Sequence, residues 1–232
     1  MFAYFLALDK SRYVCRASRY LLFAALLPIL LSPPDVLAAE KTSRLLAIGD
    51  SLVAGYGLPA AEAFTARLEA ALIGSGLRVR VINAGVSGDT SAGGRARIAW
   101  SLVDKPDAVL VELGANDGMR GLDPSATKAN LDAILSQIRS AGAEILLTGM
   151  LAPPNLGREY GAEFAALYPA LAHRHGVLFY PFFLEGVAAN PELNQADRIH
   201  PNAAGVDIIV KRLLPMVKEL LQKVQNKREH GG

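Results

Sequence analysis

Leu45-Leu46-Ala47-Ile48-Gly49-Asp50-Ser51-Leu52 decides how the chain is read. Four apolar residues in succession suit a strand buried on both faces, because a helix-covered parallel sheet has no solvent side to impose alternation. Gly49-Asp50-Ser51 breaks the run, and a loop and a helical stretch, Glu62–Leu72, follow. A serine on such a turn stands at the carboxyl end of a strand, where open α/β sheets bind ligands. It also stands at a helix N-terminus, whose unpaired N–H groups stabilise an anion. An ordinary turn capped by Asp50 or Ser51 reads the same way. The rest of the chain has to decide.

Outward from this stretch, strand and helix signals alternate. Arg44–Ile48 is the first strand, and Ala61–Ile73 is a helix closed by Gly74-Ser75-Gly76. Arg78–Asn83 alternates polar and apolar residues as a second strand; a Gly/Ser loop over Ala84–Gly94 and a helix from Arg95 to Val103 come next. Asp107–Leu113 is a third, buried strand, Gly114–Gly121 a loop and Ser125–Ala141 a helix. Glu144–Thr148 and Val177–Tyr180 complete five strands. Between them lies a helix, Glu163–His175, that Pro169 should bend or interrupt. A last helix runs from Asn202 to Val224, and 227–232 reads as a flexible tail. Strands alternating with helices predict an α/β fold: a flavodoxin-like three-layer sandwich on a five-stranded parallel sheet, in a single domain over 39–226.

Residues 1–38 differ from the rest. Lys10, Arg12, Arg16 and Arg19 precede the apolar run Leu21–Leu31, and Val36-Leu37-Ala38 offers small residues for cleavage, the order of a secretory signal peptide. The run is shorter than the roughly 20 residues that a spanning helix needs. Cleavage at Ala38 or Ala39 predicts a periplasmic or secreted protein without stable membrane insertion; the alternative is that the segment is retained as an amphiphilic anchor. The leader carries four basic and two acidic residues, leaving 20 of each behind it. A balanced chain lacks the electrostatic footprint for nucleic acid. Cys15, the single cysteine, belongs to the leader as well, so the domain has neither disulfides nor a thiol nucleophile.

Parallel strands bring their carboxyl ends to one rim, and each end here carries a chemical candidate. Ser51 follows the first strand, and Gly85 the second, in Asn83-Ala84-Gly85-Val86-Ser87-Gly88-Asp89-Thr90. Asn116 follows the third in Gly114-Ala115-Asn116-Asp117-Gly118, and Asp197-Arg198-Ile199-His200-Pro201 precedes the last helix. Acyl transfer needs a nucleophile, a base, a group to orient the base, and donors for the oxyanion. Asp197 and His200 are three apart, so one turn can hold the imidazole by Nδ1 while Nε2 faces Ser51. The N–H groups of Ser51 and Gly85 and the Asn116 amide are the candidate oxyanion donors.

These four blocks, in this order and spacing, resemble those of the SGNH (GDSL-type) hydrolases, and Asn83–Ser91 and Val111–Gly121 are closest to that family's bacterial branch of esterases, thioesterases and lysophospholipases. The resemblance spans about Leu45 to Leu221. It implies a Ser51–His200–Asp197 triad, an oxyanion hole from Ser51, Gly85 and Asn116, and no metal or cofactor. It further implies a serine esterase acting on aryl or acyl esters, thioesters or lysophospholipids. Val53-Ala54 after Leu52 departs from the usual Gly-Asp-Ser-Leu-Ser block.

Met119, Phe183 and Leu184 are the candidates to line a substrate groove, Trp100 is expected in the core, and Asp50 is expected to cap or brace its loop. His173 and His175 form a His-x-His pair with no third ligand in sight. Two other readings compete. A polysaccharide O-acetyl esterase would use the same serine chemistry in a shorter, more polar pocket. A flavodoxin-like ligand-binding module would leave Asp197–His200 without a purpose.

Overall fold

The computed structural model describes residues 41–230, and the leader read over 1–38 lies outside them. The two apolar runs of the sequence form inner strands: Leu45–Ile48 lies in β1 (Ser43–Gly49), and Ala108–Val111 is β3. Neither exposes any of these side chains appreciably, as expected for strands covered on both faces. With β2 (Val79–Gly85), β4 (Glu144–Thr148) and β5 (Leu178–Tyr180) they make one parallel sheet in the order β2-β1-β3-β4-β5. That is the flavodoxin-like order. β2, at an edge, keeps the polar/apolar alternation of a half-covered strand.

Two short helices continue the inner strands, α1 (Ser51–Ala54) after β1 and α4 (Ala115–Met119) after β3. The longer ones form two layers. α2 (Phe64–Gly74) and α7 (Ala203–His230) pack together on one face. On the other lie α3 (Ser91–Ser101), α5 (Pro124–Ser140) and α6 (Arg158–His175). Strand order reverses between β1 and β3, so the crevice outside their carboxyl ends is where this architecture binds ligands. Ser51 and Asn116 flank it. Among the described residues, no helix is long and apolar enough to cross a membrane.

The helices depart from the sequence reading in four places, besides α4, which lies within the stretch read as a loop over Gly114–Gly121. α3 starts at Ser91, not Arg95, because Thr90 caps it with its hydroxyl towards the Gly93 N–H. Gly93 and Gly94 disguise that first turn, and at Gly94 a Cβ would force the buried Leu113 side chain to shift. Trp100 is 83% exposed, not core. The inward stripe of α3 is Ser91, Gly94 and Ile98, and Trp100 stands roughly 200° round from Ile98. α6 begins at Arg158 and runs through Pro169, which faces solvent. Finally, the segment read as a tail from 227 is the end of α7 as far as His230. Arg228 pairs with Asp107 at 2.9 Å, and Lys227 pairs with Glu144 at 3.2 Å.

Candidate active site

β1 ends at Gly49, and Asp50 turns the chain into α1. The Asp50 carboxylate caps that helix by accepting the Leu52 N–H at 3.0 Å, which leaves Ser51 in the first turn beside the crevice. Across the crevice, Asp197 curls the loop before α7 around its own carboxylate: Oδ1 accepts the N–H groups of Ile199 (2.9 Å) and His200 (3.0 Å). Its Oδ2 lies 2.6 Å from His200 Nδ1, and His200 Nε2 lies 2.9 Å from Ser51 Oγ. Carboxylate, imidazole and hydroxyl therefore form one hydrogen-bonded line. The two N–H donors and the imidazole hold the Asp197 carboxyl down at about 2. The Tyr56 ring packs on the imidazole with centroids 4.5 Å apart.

The three candidate oxyanion donors differ in how far they are committed. The Asn116 amide nitrogen donates to Asp50 Oδ2 at 3.1 Å and to the Asp89 carbonyl at 2.9 Å. The Gly85 N–H donates to Asn83 Oδ1 at 2.9 Å. The Ser51 N–H, at the start of α1, has no partner among the described residues. Gly85 must be glycine for a separate reason: a Cβ would run into the backbone of Val53 and Ala54 in α1, so the β2 end could not approach the serine turn.

Two residues absent from the sequence reading hold the peptide between Gly49 and Asp50. Arg97 on α3 donates to the Gly49 carbonyl (2.8 Å), the Ala84 carbonyl (2.7 Å) and Asp89 Oδ2 (2.6 Å), tying the ends of β1 and β2 to the loop that follows β2. Glu112, fully buried just past β3, accepts the Asp50 N–H at 3.1 Å through Oε2, while its Oε1 has no partner among the described residues. Burial, reinforced by the neighbouring Asp50, raises the Glu112 carboxyl well above the glutamate range, which favours its neutral form. Burial also pushes Asp50 up to about 6, against the pull of its hydrogen bonds to Leu52 and Asn116. A carboxyl inside an otherwise apolar buried strand was the visible signal for Glu112. Arg97, like Tyr56, had none.

Beside Ser51 opens a cleft of about 450 Å³, walled by Leu52, Met119, Met150, Phe182, Leu184 and Ile199. Met119 and Leu184 stand in that wall. Phe183 does not: it is buried, edge-on to Phe64 at 5.1 Å, because its N–H bonds the Gly149 carbonyl and turns the ring inward. Its neighbour Phe182 takes the place expected of it. His175 binds Asp132 at 2.7 Å, and among the described residues no cluster of three or more metal-binding side chains forms.

Residues 47–208 match the GDSL-like lipase/acylhydrolase family. The chain is 42% identical over 185 residues to an esterase, TesA, of Pseudomonas aeruginosa, covering 79% of this chain and 91% of that protein. It is 42% identical over 184 residues to "Thioesterase 1/protease 1/lysophospholipase L1" of Escherichia coli, covering 77% and 87%. The crystal structure of AlinE4, an SGNH-hydrolase family esterase, superposes with a TM-score of 0.66 at 47% identity, covering 78% of this chain and 97% of that one. On the match over 47–208 and these identities, the chain belongs to the GDSL-like lipase/acylhydrolase family.

Proposed function

We propose that this ester hydrolase works through an acyl-enzyme on Ser51, with apolar acyl or aryl groups bound in the adjoining cleft. The observation that carries the reading is the unbroken Asp197–His200–Ser51 line of hydrogen bonds at the edge of an apolar cavity. Ser51 Oγ attacks the acyl carbonyl while His200 Nε2 takes its proton. His200 returns that proton to the departing alcohol or thiol, and water then releases the acid by the reverse sequence. Asp197, ionised at any ordinary pH, fixes the imidazole and stabilises it when it becomes positive. The oxyanion forms against the Ser51 N–H, joined by Gly85 and the Asn116 amide as their internal acceptors give way.

Thioesters and lysophospholipids are further substrates on this reading, since both present an acyl carbonyl to the same serine. The leader over 1–38 makes the protein an exported one, which N-terminal sequencing of protein from the periplasm or medium would test. A p-nitrophenyl ester series from acetate to palmitate, with wild type and Ser51→Ala, tests the chemistry. The expected result is an optimum at medium or long chains that Ser51→Ala abolishes. Cleavage of acetate alone would replace an acyl cleft by an O-acetyl esterase, and a folded wild type inert on every ester would end the proposal.

A further inference from the structure

Among the described residues, Arg198 is the only cationic one lining the cleft beside Ser51. The one anionic residue there, Asp50, is buried and already holds the Leu52 N–H and the Asn116 amide. Among the described residues, Arg198 makes no ion pair. It is exposed at the cleft mouth, with Ile199 beside it.

Its backbone is equally out of the ordinary. Only three non-glycine residues among those described have φ in the left-handed region, Lys105, Ala189 and Arg198, and the last two both line this cleft. At Arg198 the cause is visible. Asp197 draws the N–H groups of Ile199 and His200 onto one oxygen, and the Arg198 N–H closes onto the Gln195 carbonyl, leaving φ at 61°. Glycine adopts that conformation at no steric cost and arginine does not. The tight turn explains the conformation; it does not explain a long cationic side chain placed there. A backbone outlier of this kind at a site argues for a use.

Chemistry narrows the use. On the proposed reading of Ser51 and His200, on which this inference rests, the leaving atom departs towards His200, which protonates it. Arg198 lies two residues from His200 on the same turn and is exposed at the cleft mouth, so a leaving group that projects out of the cleft, away from an acyl chain held inside it, passes this residue. A guanidinium matches phosphate oxygens through paired N–H donors. We propose that Arg198 is a subsite for a phosphate carried on the leaving group, and so a specificity-determining residue of the enzyme. Two kinds of substrate have that form. A monoacyl glycerophosphate puts the phosphate beyond an ester oxygen, and an acyl thioester of a phosphorylated carrier puts it beyond a sulfur.

The test compares four substrates of one acyl length, kept monomeric: a monoacylglycerol, the matching monoacyl glycerophosphate, the acyl-coenzyme A and the acyl N-acetylcysteamine thioester. Wild type is run against Arg198→Gly, which suits the left-handed backbone, and Arg198→Lys. The quantity read is the ratio of kcat/KM for the phosphate-bearing substrate to that for its neutral counterpart. This ratio is expected to fall by about five- to tenfold in Arg198→Gly, a size fitting one charge-assisted contact at an exposed rim. It is expected to fall less in Arg198→Lys, and to shrink in wild type as salt rises from about 0.05 to about 0.5 M. A fall confined to the glycerophosphate pair identifies a lipid head group, and one confined to the thioester pair identifies the carrier. Ratios unchanged in Arg198→Gly for both pairs would overturn the subsite. A folded wild type that cleaves none of the four would instead bring down the esterase reading beneath it.

Discussion

Beside the nucleophile, Asp50 and Asn116 are 1% and 8% exposed, whereas the Asp197 side chain across the crevice is 36% exposed. The serine half is anchored in the core: the Gly49–Asp50 peptide is gripped by Arg97 at its carbonyl and by Glu112 at its N–H. The histidine half is a surface loop organised by one carboxylate and its nearest backbone donors. Donors that must meet a developing charge gain most from being fixed in advance in a water-poor setting. A base that carries a proton from nucleophile to leaving group needs only to keep its tautomer and its reach. The difference predicts that damage to the serine half costs both activity and stability, whereas removing the imidazole from the histidine half costs activity with little loss of stability.

The sharpest contrast comes from removing the reacting groups. Ser51→Ala and His200→Ala should each lower kcat by about 10⁶. Because His200 sits on the loop, His200→Ala should keep its unfolding free energy within about 0.5 kcal/mol of wild type. A His200→Ala protein that melts far below wild type would mean that the loop is part of the fold's support.

Asn116→Ala should lower kcat by about 10²–10³. It should also destabilise by about 1–3 kcal/mol, since the Asp50 carboxylate and the Asp89 carbonyl lose a donor. Activity within a few-fold of wild type would remove Asn116 from the oxyanion hole. For Arg97→Met the expected cost is about 2–3 kcal/mol in urea unfolding, with kcat down about tenfold and KM little changed. Loss of stability with full kcat would reduce Arg97 to a brace of the fold alone.

The smallest effect separates the buried acids by pH. Unfolded carboxyls ionise near about pH 4. Glu112 and Asp50 have raised values in the fold, so the native state binds more protons than the unfolded one. Their contribution to stability is full below about pH 4 and is lost as pH rises, through about 6 for Asp50 and through the raised Glu112 value in the same direction. Asp197, lowered to about 2, acts the other way, and its contribution is lost only as pH falls towards that value. Glu112→Gln keeps an acceptor for the Asp50 N–H and abolishes the ionisation. Its unfolding free energy should therefore fall less than that of wild type between about pH 5 and about pH 8, with kcat within a few-fold. Parallel curves would show that Glu112 is not the neutral acid.

The same contrast explains what the sequence disclosed. Buried parallel strands announce themselves as apolar runs, and their carboxyl ends fall where the runs stop, so Ser51, Gly85, Asn116 and the Asp197–His200 turn could be brought to one rim from spacing alone. The support beneath them could not. Arg97 is one arginine in a helix whose start was hidden by two glycines, and its partners lie up to 48 residues away. Phe182 and Phe183 illustrate a finer limit. Once the chain leaves β5, alternation ends, and a single backbone bond to Gly149 decides which ring packs inward. Trp100 looked like core by its chemistry, but the helical phase set by Ile98 turned it outward.

Arg228, near the end of α7, also donates to the Lys41 carbonyl at 3.1 Å, so the described chain enters and leaves at the same rim of the sheet, beside the strands' amino ends. The cleft occupies the opposite rim. Attaching the protein to a bead or an electrode through its C-terminal helix would present the cleft mouth to the bulk phase. Joining residues 41 and 230 by a short linker, with new ends opened in the exposed turn Gly74–Gly76, would relocate the termini without cutting any strand or either half of the site.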